Sequence, residues 1–174
     1  MNDRPDRRDY ARLELERRFV LKRLPAAVDE RAFQRLRDLF VRGAGLRVRR
    51  VEDPQGNELV TKLGQKLPDP DAPEAPGRSR LTTIYLPPDA AAPLQSLPGV
   101  RSSKRRYTLE EQGRTFAIDV WEEPATCAGL VLAEVECETV EQLAAIAMPA
   151  WAEREVTDDP RYSAFVLASA GVDG

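Results

Sequence analysis

Glu14 and Glu16 stand two residues apart near the start of the chain, and Glu134 and Glu136 repeat the spacing near its end. In a strand, residues two apart point the same way, so each pair would offer two carboxylates on one face. Hard oxygen donors of this kind suit Mg²⁺ or Mn²⁺, which usually bind through a few carboxylates together with substrate phosphates. Between the acidic pairs lie basic residues at the same even spacings: Arg47 and Arg49, Lys62 and Lys66, Arg78 and Arg80, Lys104 and Arg106. Guanidinium and ammonium groups are natural partners of phosphate oxygens. Acids for a metal beside bases for phosphate suit hydrolysis of a phosphoanhydride, where cations stabilise the charge that develops in transfer.

The rest of the composition narrows the chemistry. The 174-residue chain contains no histidine, which excludes a Ser-His-Asp triad and a His-ligated zinc site. Its two cysteines, Cys127 and Cys137, do not make a disulfide framework, and Cys137 reads as a small buried strand residue. The 26 basic and 29 acidic residues leave a net charge of −3. That balance argues against a duplex nucleic-acid binder but permits a local anion site. No apolar run approaches a membrane span, and the charged N-terminus lacks the apolar core of a secretory signal, so the expected location is cytoplasmic. The length fits one domain, with a disordered segment over 1–10 and a single domain over 11–174.

The elements that must hold these side chains are mostly strands. A first strand runs from Leu13 to Arg23, and Pro25 ends it. Asp29 caps a helix over Glu30–Leu39, where Phe33, Leu36, Leu39 and Phe40 recur at helical spacing. Strands over Leu46–Glu52 and Glu58–Leu67 join through the turn Asp53-Pro54-Gln55-Gly56. A Pro/Asp/Ala loop over 68–77 leads to a strand at Arg78–Leu86, then to an Ala-rich stretch, a short helix or a turn, ending near Leu97. Val100–Glu110 and Arg114–Trp121 form a hairpin at Gln112-Gly113, and Leu130–Glu138 is the last strand. Thr139 caps a helix over Val140–Ala147, and a further helix follows Pro160. Many strands, few helices and short connections predict an α+β fold, an antiparallel barrel or strongly curved sheet with helices outside.

Parity then sorts the faces. Glu14, Glu16, Arg18 and Lys22 oppose Leu13, Leu15, Phe19 and Leu21. Arg47 and Arg49 share a face, as do Lys62, Gly64 and Lys66, and Arg78, Arg80 and Thr82. Ser102, Lys104, Arg106 and Thr108 align; Asp119 opposes Phe116, Ile118 and Val120; Glu134, Glu136 and Glu138 oppose Val135 and Cys137. An open sheet with one wet face would alternate in the same way. Two features favour an enclosed face: the charges segregate by sign between strands, and they are dominated by arginine. A closed barrel could turn them inward, where so many charges require water, ions or ligand.

These residues resemble the CYTH superfamily, the triphosphate tunnel metalloenzymes. Glu14-Leu15-Glu16-Arg17-Arg18-Phe19 is similar to its Glu-x-Glu-x-Lys signature. The resemblance continues, in family order over roughly 12–168, through Leu46–Arg49, Lys62–Lys66, Lys104–Tyr107, Phe116–Asp119, Gly129–Glu136 and Glu155–Tyr162. It implies an eight-stranded antiparallel tunnel that hydrolyses inorganic triphosphate, or a related organic triphosphate, with Mg²⁺ or Mn²⁺. By resemblance, Glu14, Glu16, Glu134 and Glu136 hold the metal with Asp119 assisting. Arg47, Arg49, Lys62, Lys66, Arg80, Lys104 and Arg106 contact the triphosphate, and Arg18 joins Glu14 and Glu16 at the catalytic positions. The expected partner is a small-molecule polyphosphate, with no nucleic acid and no membrane; a homodimer is compatible. The alternatives are a polyphosphate- or nucleotide-binding module with little turnover, and an adenylate cyclase of the class IV type.

The chain departs from the family pattern at several places. Arg18 replaces the signature Lys, and arginine does not readily give up or take a proton. Phe40 stands where some bacterial triphosphatases place a Tyr, Leu81, Thr82 and Thr83 stand where acids are usual, and Tyr162-Ser163-Ala164 replaces Tyr-x-Asn. Nothing selects a nucleobase: Tyr85, Trp121 and Trp151 could stack on one, but such residues more often pack in a core or rim.

Overall fold

The structure, a computed structural model, describes residues 10–170, so the expected disordered segment lies almost wholly outside the described residues. Eight principal strands follow in chain order: β1 (Arg12–Leu21), β2 (Gln34–Val41), β3 (Leu46–Glu52), β4 (Glu58–Pro68), β5 (Arg78–Leu86), β6 (Gly99–Glu111), β7 (Arg114–Glu123) and β8 (Val131–Cys137). Their order around the sheet is β5-β4-β3-β2-β6-β7-β8-β1, every pair antiparallel, and β1 also pairs with β5. That last ladder closes the sheet into an eight-stranded barrel.

Closure is shared between two partners. β5 pairs with β1 only from Arg12 to Leu15; further along, a two-residue strand β9 (Arg154–Glu155) takes the same edge opposite Phe19 and Val20. Between them the Glu16 N–H donates to the Gly77 carbonyl at 2.8 Å, and the Arg18 N–H donates to Thr157 Oγ1 at 3.1 Å. Gly77 has φ +67°, and a Cβ there would lie 2.1 Å from the Glu16 carbonyl oxygen. Only glycine allows the chain to pass so close to the strand that carries Glu16.

The apolar face of the barrel points outward and is covered over β1, β6, β7 and β8, while Leu67 of β4 and Ile84 of β5 stay exposed. Phe19, Leu21, Tyr107, Leu109, Phe116, Ile118, Val131, Ala133 and Val135 form its core, sealed by Val28 from the β1–β2 connection and Ile146 beyond helix α2. The described helices are α1 (Pro88–Gln95), α2 (Val140–Ala144) and α3 (Ala164–Ala170). The expected turn at Asp53–Gly56 and the hairpin at Gln112-Gly113 are present, and Thr139 caps α2, accepting from the Gln142 N–H at 3.2 Å. No described helix is long and apolar enough to cross a membrane.

One end of the barrel is filled from within. Val20, Trp121 and Leu132 pack with Val156, Tyr162 and Leu167, the last carried by α3. Phe165 of α3 meets Phe40 edge-on with ring centroids 5.8 Å apart. The interior is therefore a cup with an apolar floor.

The helix expected over Glu30–Leu39 is absent, and β2 runs there instead. Asp29 caps only a turn, accepting from the Arg31 N–H at 3.0 Å. β2 is an interior strand, laddered to β3 on one side and β6 on the other, and these long-range hydrogen bonds override the local helical spacing. Leu36 and Leu39 mimic a helical stripe because both faces of β2 are apolar in part: Leu36 lies inside the barrel and Leu39 outside, and both are buried.

Candidate active site

Register determines which side chains share the interior. Glu16 opposes Glu136 and Arg18 opposes Glu134 across β1 and β8, Ala117 opposes Glu134, and Arg106 opposes Asp119. On the other wall, Asp38 opposes Arg49 and Arg49 opposes Lys62, while Arg47 opposes Gly64. Glu14 opposes Ser79. Twelve of the expected site residues thus share the inner face: Glu14, Glu16, Arg18, Arg47, Arg49, Lys62, Lys66, Lys104, Arg106, Asp119, Glu134 and Glu136.

Arg80 does not join them. It opposes Leu13 on β1 and Leu67 on β4, both on the outer face, and its guanidinium donates to Asp69 at 2.9 Å and Asp71 at 3.1 Å. Arg78 shares that outer parity and donates to Asp69 at 2.6 Å. The inner face of β5 belongs instead to Ser79, Leu81, Thr83 and Tyr85. Asp69 and Asp71, in the loop before β5, provide the counter-ions that hold both arginines outside the barrel.

The interior charges form three groups. In the first, the Lys66 ammonium bridges Glu14 and Glu16, 2.8 Å from the latter, and Ser79 Oγ donates to Glu14 at 3.2 Å. Burial and repulsion from Glu134 push the Glu16 carboxyl above its usual range, with Lys66 only partly compensating. In the second, Arg49 clamps Asp38 through two hydrogen bonds of 2.7 Å, both residues fully buried. In the third, Arg106 grips Asp119 with two hydrogen bonds of 2.7 Å and reaches Glu134 at 2.8 Å, while Lys104 also bonds Asp119. Burial would raise the Glu134 carboxyl, but Lys104 and Arg106 overcome it and hold it well below the usual range. Burial pushes the Lys104 ammonium down despite Asp119 and Glu134.

Two cations are left over. Arg47 and Lys62 make no ion pair among the described residues. Burial and the neighbouring Arg49 push Arg47 below its usual range; burial, Arg49 and Arg47 do the same to Lys62. A cavity of about 730 Å³ opens onto Arg106, Glu134 and Glu136, and a second of about 460 Å³ reaches Arg106 past Phe33, Gln34 and Pro54.

The carboxylates that could hold a metal are Glu14, Glu16, Glu134 and Glu136. No group of three or more acidic or cysteine side chains among the described residues converges as a ready-made metal shell. Asp119 is unsuited to a ligand role, since Lys104 and Arg106 take up both its oxygens. Glu14 and Glu16 already converge on one cation, the Lys66 ammonium. An ion of the Mg²⁺ type needs only one or two carboxylates when phosphate oxygens complete its shell, so this pair fits. Arg18 donates to the backbone carbonyls of Tyr162 at 2.8 Å and Thr157 at 3.2 Å, with its Nε 3.7 Å from Glu16. Asp38 is the interior residue that the sequence reading missed, because it fell in the segment read as helix.

The fold and interior define an eight-stranded antiparallel tunnel with a mixed Glu, Asp, Arg and Lys lining. No protein-family model matches the sequence, and no curated protein matches it. Among solved structures, the chain is similar to the protein NE1496, described in one structure as hypothetical and in another as an inorganic triphosphatase. The first shares 23% identity over 89% of this chain and 97% of that one, with a TM-score of 0.56. The second shares 21% over 89% and 93%, again with a TM-score of 0.56. A candidate adenylate cyclase from Bacillus halodurans shares 13% over 78% and 86%, with a TM-score of 0.50. At these identities the likeness establishes a common fold.

Proposed function

We propose that this chain is a triphosphate tunnel metalloenzyme of the CYTH superfamily that hydrolyses inorganic triphosphate to pyrophosphate and phosphate. The observation that carries the reading is the pair of cations, Arg47 and Lys62, that make no ion pair among the described residues and lie beside Arg49 on the inner face of a barrel. Both are half-buried, and like charges drawn together on one inner wall and partly out of water favour a bound counter-charge. A polyphosphate anion supplies it, and the shared fold with an inorganic triphosphatase supports that choice of anion.

In this reading Arg47 and Lys62 receive the phosphate oxygens, and Arg106 and Lys104 hold further charge. Asp38 and Asp119 position the arginines that they clamp. Glu14 and Glu16 hold Mg²⁺ or Mn²⁺, with Glu134 and Glu136 on the adjacent strand. The metal supplies Lewis-acid charge at the phosphate oxygens. Lys66, released from the carboxylates, becomes free to meet phosphate. The apolar floor keeps bulk water from that end of the cup.

The alternative, a polyphosphate-binding module with little turnover, is favoured by one observation: Arg18, at the signature Lys position, is engaged with backbone carbonyls. One experiment separates the two. Purified protein is given tripolyphosphate, thiamine triphosphate or ATP with Mg²⁺, Mn²⁺ or EDTA, and phosphate release and cyclic nucleotide are followed. Metal-dependent phosphate release from tripolyphosphate is expected. Tight binding without turnover would leave the binding module, and ATP cyclisation would overturn both. Arg47→Met and Lys62→Met are expected to raise KM for tripolyphosphate on the order of tenfold or more, with thermal stability kept or increased, because neither strands a carboxylate.

A further inference from the structure

Arg18 occupies an inner-face position and yet spends its side chain on the chain's own C-terminal segment. Nη1 donates to the Tyr162 carbonyl at 2.8 Å and Nη2 to the Thr157 carbonyl at 3.2 Å. Its backbone is held by the same segment: the Arg18 N–H donates to Thr157 Oγ1 at 3.1 Å, and the Val156 N–H donates to the Arg18 carbonyl at 2.8 Å. The remaining edge of the guanidinium faces the acidic wall, where Nε is buried without a hydrogen bond and lies 3.7 Å from Glu16 Oε1.

The segment so held is the one that floors the cup. β9 completes the wall where β5 leaves β1, Val156 is fully buried, and the chain then turns through Pro160–Tyr162 into α3. Leu167 is fully buried against the floor and accepts from Cys127 Sγ at 3.4 Å through its carbonyl. One planar guanidinium therefore spans the floor segment on one side and the Glu16 carboxylate on the other. A lysine at this position would bring one compact ammonium in place of a planar fork whose Nη1 and Nη2 reach two separate carbonyls while Nε stays beside Glu16.

We propose that Arg18 is a positioning residue: it latches the C-terminal floor, Thr157 to α3, to the carboxylate wall and so couples floor closure to the state of Glu16. The two Nη groups hold the floor at two carbonyls, a fork that a lysine does not reproduce. Two consequences follow. Loss of the guanidinium loosens the floor selectively, and a ligand that draws on Glu16 changes the protection of the floor although it does not touch it. The first rests on the structure alone; the second also rests on the proposed metal site.

The test is backbone hydrogen exchange, read by segment, on wild type, Arg18→Lys and Arg18→Gln, with turnover measured in parallel. The uncharged Arg18→Gln guards against misfolding from an ammonium without partners. Both variants are expected to speed exchange over 157–170 at least tenfold while the β6–β7 hairpin is unchanged, and Arg18→Lys retains tripolyphosphate binding within a few fold. Leu167→Ala, which loosens the floor from its other side, should give the same exchange pattern. Unchanged exchange over 157–170 in both Arg18 variants while Leu167→Ala speeds it would overturn the latch. So would loss of turnover in Arg18→Lys with floor exchange unchanged, which would make Arg18 a catalytic residue. A wild-type floor whose exchange responds to Mg²⁺ with tripolyphosphate, and loses that response in Arg18→Gln, supports the coupling. If no substrate turns over, the apo exchange comparison still decides the latch, so its failure is separable from failure of the proposed activity.

Discussion

Asp38 and Arg49 show how the interior keeps its geometry before any ligand arrives. Burial alone would raise the Asp38 carboxyl; the charge of Arg49 and its two hydrogen bonds outweigh that and hold it far below the usual range. A carboxyl depressed in the folded state contributes stability in full above its unfolded pKa of about 3.9, and loses it as pH falls below that value. Asp38→Asn leaves Arg49 buried without its counter-ion and is expected to cost about 3–5 kcal/mol at neutral pH. Urea midpoints from pH 6 to pH 3 should therefore fall more steeply in wild type than in Asp38→Asn; parallel curves would show that the pair does not drive acid sensitivity. Glu16 is the opposite case, a carboxyl pushed up by burial and by Glu134. It gains most from an added cation, consistent with the site proposed for the metal.

At the scale of the element, the instructive strand is β5. Its arginines obey the same alternating pattern as those of β3 and β6, and parity within one strand says only which residues share a face. Which face turns inward is set by register against β1 and β4, where Ser79 meets Glu14 and Arg80 meets Leu67. Arg80→Ala is expected to leave kcat/KM for tripolyphosphate within about twofold, because its ion pairs with Asp69 and Asp71 lie outside the barrel. A large rise in KM would mean that Arg80 reaches the interior after all. β2 teaches the complementary lesson. Its apolar residues fall on both faces, so period 2 is erased and a helical period emerges by accident.

At the scale of the whole molecule, closure converts a set of half-charged strands into a binding cavity. The barrel brings β1 and β8, far apart in sequence, into register so that Glu16 faces Glu136. Binding at such a site stabilises the folded state by linkage. At a ligand concentration 100-fold above Kd the gain is about 2.7 kcal/mol, or roughly 5–10 °C in Tm for a chain of this size. Tripolyphosphate with Mg²⁺ is expected to give that shift in a thermal melt, and Arg47→Met to abolish most of it. A ligand-independent Tm would count against a polyphosphate site of any kind.

The residues alone determined that Glu14, Glu16, Glu134 and Glu136 lie on charged strand faces, and that bases intervene between them, because side-chain alternation is a local property of extended chain. They also favoured an enclosed face, since the charges segregate by sign between strands and arginine dominates them, while closure into a tunnel was implied by the family resemblance. Tertiary structure alone decided that β2 is a strand, that Arg80 is outside, that Asp119 is spent on Lys104 and Arg106, and that Arg18 ties down the floor. Each of these depends on which distant segment lies alongside, and hydrogen-bond register and ion pairing between segments far apart in the chain leave no periodic trace in either segment by itself.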